Sequence, residues 1–369
     1  MPKAQETVLE IDLSALTHNY NYLKSKLQSK TKFLAVVKAF AYGNDAAKIA
    51  RHLQKLDVDY FAVAYTKEGV ALRDAGITKP ILVLHPLAVS FKTLIDRCLE
   101  PNIYSTAILD QFIKTAEAQG QKQYPVHIKF NTGLNRLGFN ENDIEAIVSK
   151  LKNTSAIKVT SIFSHLAASE DLNELEFTQL QIKKFKNIAD TFEAQSGVKP
   201  WLHLCNTSGI LNYPEAHLDM VRSGIGLYGY GNSDEEDKKL KPVASLKSII
   251  SQIHTIEKGQ TVGYNRAYTS NKTEKSATIP IGHADGISRI YGNGKGFVYI
   301  NDQKAPIIGN VCMDMIMVNV THIDCKEGDE VIIFNSEHKV SALAESAGTI
   351  SYEILTALSQ RIKRIILPQ

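Results

Sequence analysis

Between residues 33 and 221, short apolar runs alternate with longer segments whose apolar positions recur every three or four residues. That is the pattern of strands separated by amphipathic helices. Eight runs qualify as strands: FLAVV (33–37), YFAVA (60–64), ILVL (81–84), NIYS (102–105), VHIKF (126–130), VTSIF (159–163), LHLC (202–205) and DMV (219–221). Several are unbroken apolar stretches, which suits parallel strands covered on both faces, and helix-like segments such as 67–75 and 174–192 lie between them. The runs start about 27 residues apart, a spacing that favours an α/β fold of the (β/α)8 barrel type over its competitor, an open doubly wound sheet. After Lys241 the period shortens to two. SLKSIISQIHTI, GFVYIND, APIIGNVCMDMIMVNV and DEVIIFN, separated by Gly, Asn and Asp, predict a mostly antiparallel β domain, closed by helices near Leu343 and Glu353. The run DEEDKKLK at 234–241 reads as a solvated connector, so the expected domains are 1–237 for the barrel and 238–369 for the β domain. Within residues 1–12, the alternating TVLEID predicts one more strand, packed with the second domain or with the barrel.

Composition narrows the function classes without choosing among them. With 44% hydrophobic and 22% charged residues in 369, the chain can bury a large core, and a net charge of +3 selects no partner. Lysines and acids are interspersed, so the basic stripe of a nucleic-acid binder is missing. No apolar run approaches the roughly 20 residues of a membrane span. The charged start MPKAQETVLE lacks the apolar centre of an export signal, which makes the cytoplasm the expected location. Cys98, Cys205, Cys312 and Cys325 show neither CxxC nor zinc-type spacing and read as reduced thiols, so no metal is expected.

Barrel enzymes keep their chemistry at the C-terminal ends of the strands. There, Lys38 ends the first barrel strand, Arg136 follows the fifth and His165 the sixth, Asn206 and Thr207 follow the seventh, and Arg222 ends the eighth. Solvation or core packing explains any one of them, but not all of them at equivalent ends of different strands. A lysine directly after an apolar strand sits in a partly desolvated pocket that lowers its pKa, which suits Schiff-base chemistry. The loops CNTSG and RSGIG place hydroxyls beside small residues that expose backbone N–H groups, as in barrel phosphate sites. Lysine plus phosphate cradle points to pyridoxal phosphate.

The motifs VVKAFAYG, HIKFNTGLNRLG, SHLAASED, VRSGIGLYG, VGYNRAY, GHADGISR, VCMDM and SYEILTALSQRIKRI, in this order, resemble those of bacterial alanine racemases along nearly the whole chain. The resemblance implies a barrel holding pyridoxal 5'-phosphate, a C-terminal β domain, and a head-to-tail homodimer with shared active sites. It also implies interconversion of L- and D-alanine for peptidoglycan. Matched position by position, Lys38 is the lysine that carries the cofactor and acts as one base, and Tyr264 is the opposite base, supplied by the partner subunit. Arg136 and the backbone N–H of Met313 match the groups around the substrate carboxylate. Thr207, where the family usually has Ser, would bind the phosphate with Gly224, Ile225 and Tyr352. Arg222 faces the pyridine nitrogen, His165 links it toward Tyr264, and Tyr42 and Asn206 lie beside the cofactor. Lys129 matches a lysine that is carbamylated in some members.

These residue types make chemical sense. Racemisation removes a proton from one face of the α-carbon and supplies one to the other, which requires two acid/base groups on opposite sides. A guanidinium only donates, so a ring nitrogen facing Arg222 stays unprotonated, weakening the electron sink and suppressing transamination. Several positions depart from the family: Phe40, Asn44 and Asp45 alter KANAYGHG, Asn131 replaces an Asp, Ser223 a Pro, His283 a Tyr and Asn310 an Arg. Met315 and Met317 read as core residues. A broader-specificity racemase, another pyridoxal-phosphate barrel enzyme such as a decarboxylase, and a non-catalytic pyridoxal-phosphate carrier are the competing readings. The carrier leaves the residues after Lys241 without a task.

Overall fold

A computed structural model describes residues 4–231 and 233–368. After strand β1 (Val8–Ile11), eight parallel strands close a barrel: β2 (Lys32–Val36), β3 (Tyr60–Val63), β4 (Ile81–Val83), β5 (Glu100–Ile103), β6 (Tyr124–Lys129), β7 (Ile157–Phe163), β8 (Trp201–His203) and β9 (Met220–Ser223). Each follows its predecessor in space, and β2 pairs with β9 to seal the ring, with Leu34 opposite Arg222. All eight predicted runs are strands of this barrel, offset by at most two or three residues. The open doubly wound sheet is thereby excluded. Helices such as Thr66–Asp74 and Leu175–Ser196 cover the outside, turning Leu72, Ile182, Phe185 and Phe192 onto the strands.

The second part is a nine-stranded sheet, in the order β11-β14-β17-β16-β15-β18-β10-β1-β19. Its further members are β10 (Ala244–Ile249), β11 (Gln252–Ile256), β14 (Glu274–Ile279), β15 (Phe297–Ile300), β16 (Gln303–Ile308), β17 (Ile316–Asn319), β18 (Glu330–Phe334) and β19 (Lys363–Ile366). A separate ribbon joins β12 (Thr261–Val262) to β13 (Tyr268–Thr269). Every pairing in the sheet is antiparallel except β1 with β19. The N-terminal strand thus belongs to this sheet and not to the barrel, and all four of its residues are buried. The helices expected near Leu343 and Glu353 are Val340–Ser346 and Ser351–Ala357. They do not end the fold, because β19 follows. Its sequence KRII, half charged and at the sheet edge, carries too little apolar signal to stand out.

Candidate active site

The mouth of the barrel opens into a cavity of about 640 Å3. Lys38, Tyr42, Lys129, Arg136, His165, Asn206, Thr207, Arg222, Gly224, Ile225 and Tyr352 all line it. These are eleven of the thirteen residues singled out from the sequence. Four of the lining side chains are cationic, and no described lining residue carries a carboxylate. Such a site favours a ligand bearing more than one negative group.

Lys38 enters the cavity from a turn of unusual shape. Ala39, Phe40, Ala41 and Tyr42 all have φ between 51° and 55°, left-handed conformations that cost L-residues about 1 to 2 kcal/mol each. Glu68 holds this turn: its Oε1 accepts the Ala39 N–H at 2.7 Å, and its Oε2 accepts those of Ala64 and Tyr65 at 2.7 and 3.1 Å. Gly43, at φ 81°, ends the turn against the C-terminal helix, where a Cβ would lie 1.8 Å from the Leu355 carbonyl oxygen. Tyr42 packs between Tyr228 and Tyr352, at 4.7 and 5.9 Å between ring centres. Burial, and next the Arg136 guanidinium, hold the Lys38 amine below its ordinary pKa, against a smaller upward pull from Glu68. Lys129 is pushed down to about 8, mainly by burial and then by Arg136 and Arg222.

Arg222 is fixed on every side but one. Its Nη1 donates to His203 Nδ1 at 2.9 Å, and its Nη2 donates to the Ser164 and Leu204 carbonyls at 2.7 and 3.1 Å and to His165 Nδ1 at 3.0 Å. Only Nε meets no acceptor among the described residues. Burial first, and then Arg222, push the His165 imidazole far below its usual pKa, so it is neutral and accepts. Beside Arg222, after the neighbouring strand β8, Asn206 caps the helix Thr207–Asn212 through the Gly209 N–H. Thr207 Oγ1 accepts the Gly226 N–H at 3.3 Å and bonds Ser223 Oγ at 3.1 Å. Asn131 shapes the loop ahead of Arg136, its Oδ1 accepting from the Gly133 and Asn135 N–H groups.

Tyr264 and Met313 are elsewhere. They line a separate depression on the β domain with Cys312, Asp314, Met315 and Met317, and it shares no residue with the barrel cavity. Tyr264 is 74% and Met313 58% exposed. Met315, expected in the core, is 45% exposed in the same depression just ahead of β17, and Met317 is half-buried there because β17 turns Ile316 and Val318 inward and Met317 outward. The Tyr264 turn is tied down by Asn310, whose Nδ2 donates to the Tyr264 carbonyl at 3.1 Å. Arg361 bridges Asp285 (2.6 and 2.9 Å) and Asp314 (2.7 Å), fastening the 282–286 turn to the Met313 loop. The Met313 N–H meets no acceptor among the described residues.

Comparison with known proteins gives this geometry a family. Residues 11–232 match the alanine racemase N-terminal domain, and residues 243–366 match the alanine racemase C-terminal domain. The chain belongs to the alanine racemase family. An alanine racemase of Clostridium perfringens is 37% identical over 367 residues, covering 96% of this chain and 94% of its own. The solved alanine racemase of Clostridium difficile 630 superposes with a TM-score of 0.91 at 35% identity, covering 100% of this chain and 97% of its own. That of Bartonella henselae, described with covalently bound pyridoxal phosphate, gives 0.89 at 30% identity, covering 99% of this chain and 100% of its own.

The residues present fit the cofactor of the alanine racemase family. A cationic cavity without carboxylates suits a phosphate and a substrate carboxylate together, and the Nε–H of Arg222 lacks the acceptor that a pyridine nitrogen offers. Sequence reasoning missed Glu68, although a glutamate three residues into a helix is a recognised capping signal. Tyr65 at the cap, in place of Ser or Thr, disguised it.

Proposed function

We propose that the protein is a cytoplasmic homodimer that interconverts L- and D-alanine, supplying D-alanine for peptidoglycan, with pyridoxal phosphate held in the barrel cavity. The observation that carries the reading is a lysine-bearing, cation-lined barrel mouth in a chain that matches both alanine racemase domains over nearly its full length. The four free cysteines accord with a reducing compartment.

Lys38, Thr207, Gly224, Ile225 and Tyr352 would hold the cofactor, with Tyr42 and Asn206 supporting them and Arg222 on the ring nitrogen. When bound, the cofactor supplies an electron sink that acidifies the α-hydrogen of the amino acid. Arg136 orients the substrate carboxylate, joined by the Met313 N–H of a second copy. The lowered pKa of Lys38 favours the neutral amine, the form that takes a proton on one face of the α-carbon. On the other face the acid is Tyr264 of the partner subunit, because the Tyr264 of the same chain opens onto a different surface. The exposure of Tyr264, Met313 and Met315 supports a face meant to be covered. His165, neutral and bonded to Arg222, would connect that tyrosine to the guanidinium.

The test is a polarimetric assay of the purified chain on L-alanine, with and without added pyridoxal phosphate, run beside serine, lysine and glutamate. Racemisation of alanine that depends on cofactor and exceeds that of the other three by at least tenfold is expected. Decarboxylation, or no turnover of alanine, would remove the reading.

A further inference from the structure

Barrel interiors are ordinarily filled by branched apolar side chains. Beneath Arg222 this one carries His127 on β6, Ser161 on β7 and His203 on β8, each fully buried, and Glu100 at the start of β5. None of them lines the cavity. They form an unbroken chain: Arg222 Nη1 to His203 Nδ1 at 2.9 Å, His203 Nε2 to Ser161 Oγ at 2.8 Å, Ser161 Oγ to His127 Nδ1 at 2.6 Å, and His127 Nε2 to Glu100 Oε2 at 2.6 Å.

Hydrogen-bonding chemistry fixes the direction of this chain. Arginine only donates, so His203 Nδ1 accepts and its proton sits on Nε2, which donates to Ser161. If His127 were an imidazolium it too would donate to Ser161, and the serine hydroxyl proton would have no acceptor among the described residues. With His127 neutral, Ser161 donates to Nδ1 and Nε2–H donates to the Glu100 carboxylate, so every group is satisfied. Burial and Arg222 push His203 far below its usual pKa, in keeping with a neutral ring. The phenol of Tyr60 lies near the same carboxylate, whose charge, after burial, raises the phenol's pKa. Arg222 itself forms no ion pair among the described residues, so this chain is its only route to an anion.

We propose that Glu100, at the opposite end of the barrel from the mouth, is a positioning residue: acting through His127, Ser161 and His203, it fixes the tautomer that accepts from Arg222 and so holds the guanidinium toward the cofactor ring. The proposal rests on the racemase reading for the reaction it serves. If the acceptor chain is cut, His203 loses the partner of its Nε2–H, and a mixture of tautomers releases Nη1 of Arg222. A loosened guanidinium no longer reserves the ring nitrogen for a donor that cannot protonate it, and transamination rises.

Two variants of the full chain test this. Ser161→Ala cuts the chain at its middle without changing charge, whereas Glu100→Gln keeps an acceptor for His127 Nε2–H. Histidine ring-nitrogen NMR on protein without added cofactor should show His203 and His127 each protonated on Nε2 in the parent and in Glu100→Gln, and mixed tautomers at His203 in Ser161→Ala. With cofactor, pyruvate formed per racemisation event should rise about tenfold in Ser161→Ala, the effect of losing one bond to a charged group, and stay within about twofold in Glu100→Gln. An unchanged tautomer and product ratio in Ser161→Ala overturns the proposal, even if its melting temperature falls. So does equal damage in both variants, because then the carboxylate acts by charge and not as an acceptor. Failure of the parent to racemise alanine would instead remove the racemase reading, while the NMR result would still decide whether the chain exists.

Discussion

Lys38 and Lys129 share one cavity, and both are pushed toward the neutral amine by burial and by arginine. Replacing Lys38 with Ala removes the group proposed to carry the cofactor and one base, so racemisation should fall by at least the 100- to 10,000-fold typical of a lost acid/base group. A stopped-time assay with chiral chromatography reads this, and retention of more than a hundredth of parent activity would displace Lys38 from the role. For Lys129 the sign follows from its depressed pKa of about 8: it is charged and unreactive below that pH, and free to attack above it. Labelling of cofactor-free protein with an amine reagent, followed by mass spectrometry, should reach half its maximal rate at Lys129 near pH 8, well below ordinary lysines. At this scale the sequence was readable where cavity-lining residues follow strand ends, as with Lys38, Arg136 and Arg222. It was not readable for Glu68, Glu100 or Ser161, whose importance comes from partners 27 to 42 positions away in the chain. His127 and His203 did leave a trace, as polar residues in the interior of the strand runs VHIKF and LHLC.

The turn between β2 and the next helix is the element on which the cavity depends. Four left-handed residues persist there because the Glu68 carboxylate and the helix Ser351–Ala357 brace them from two sides. Arg364 adds a third brace, donating to the Gly43 carbonyl at 2.9 Å. Gly43→Ala combines an unfavourable positive φ with a contact on the Leu355 backbone, and should cost about 1 to 3 kcal/mol of stability. By shifting the helix that carries Tyr352, it should also weaken pyridoxal-phosphate binding. Thermal melting and cofactor titration check the two effects, and a variant unchanged in both would mean that the helix does not support the turn. The eight barrel strands were legible because strands buried on both faces leave unbroken apolar runs. β19 was not, because a charged edge strand is defined only by its neighbour β1, and the place of β1 was decided by a pairing no local pattern encodes.

For the whole molecule, if the two bases are Lys38 of one copy and Tyr264 of another, as proposed, their separation within one chain makes a sharp demand on assembly. Lys38→Ala and Tyr264→Phe proteins should each be nearly inactive, since every site in either homodimer lacks one base. After subunit exchange, a mixed dimer holds one doubly defective site and one intact site, so activity should return in proportion to the mixed dimer isolated by two tags. Purified mixed dimer as inactive as its parents would place both bases in one chain or none. The barrel and the β domain were legible as separate patterns, whereas the proposed division of the site between two copies rests on the resemblance. A different consequence follows from β1, sandwiched between β10 and β19. This strand precedes the whole barrel in the chain, yet its partners begin at Ala244 and Lys363, so during synthesis it stays an apolar, unpaired edge until the entire barrel has been made. At about 5 to 20 residues per second this lasts on the order of ten seconds or more, a window in which a nascent-chain chaperone has something definite to bind.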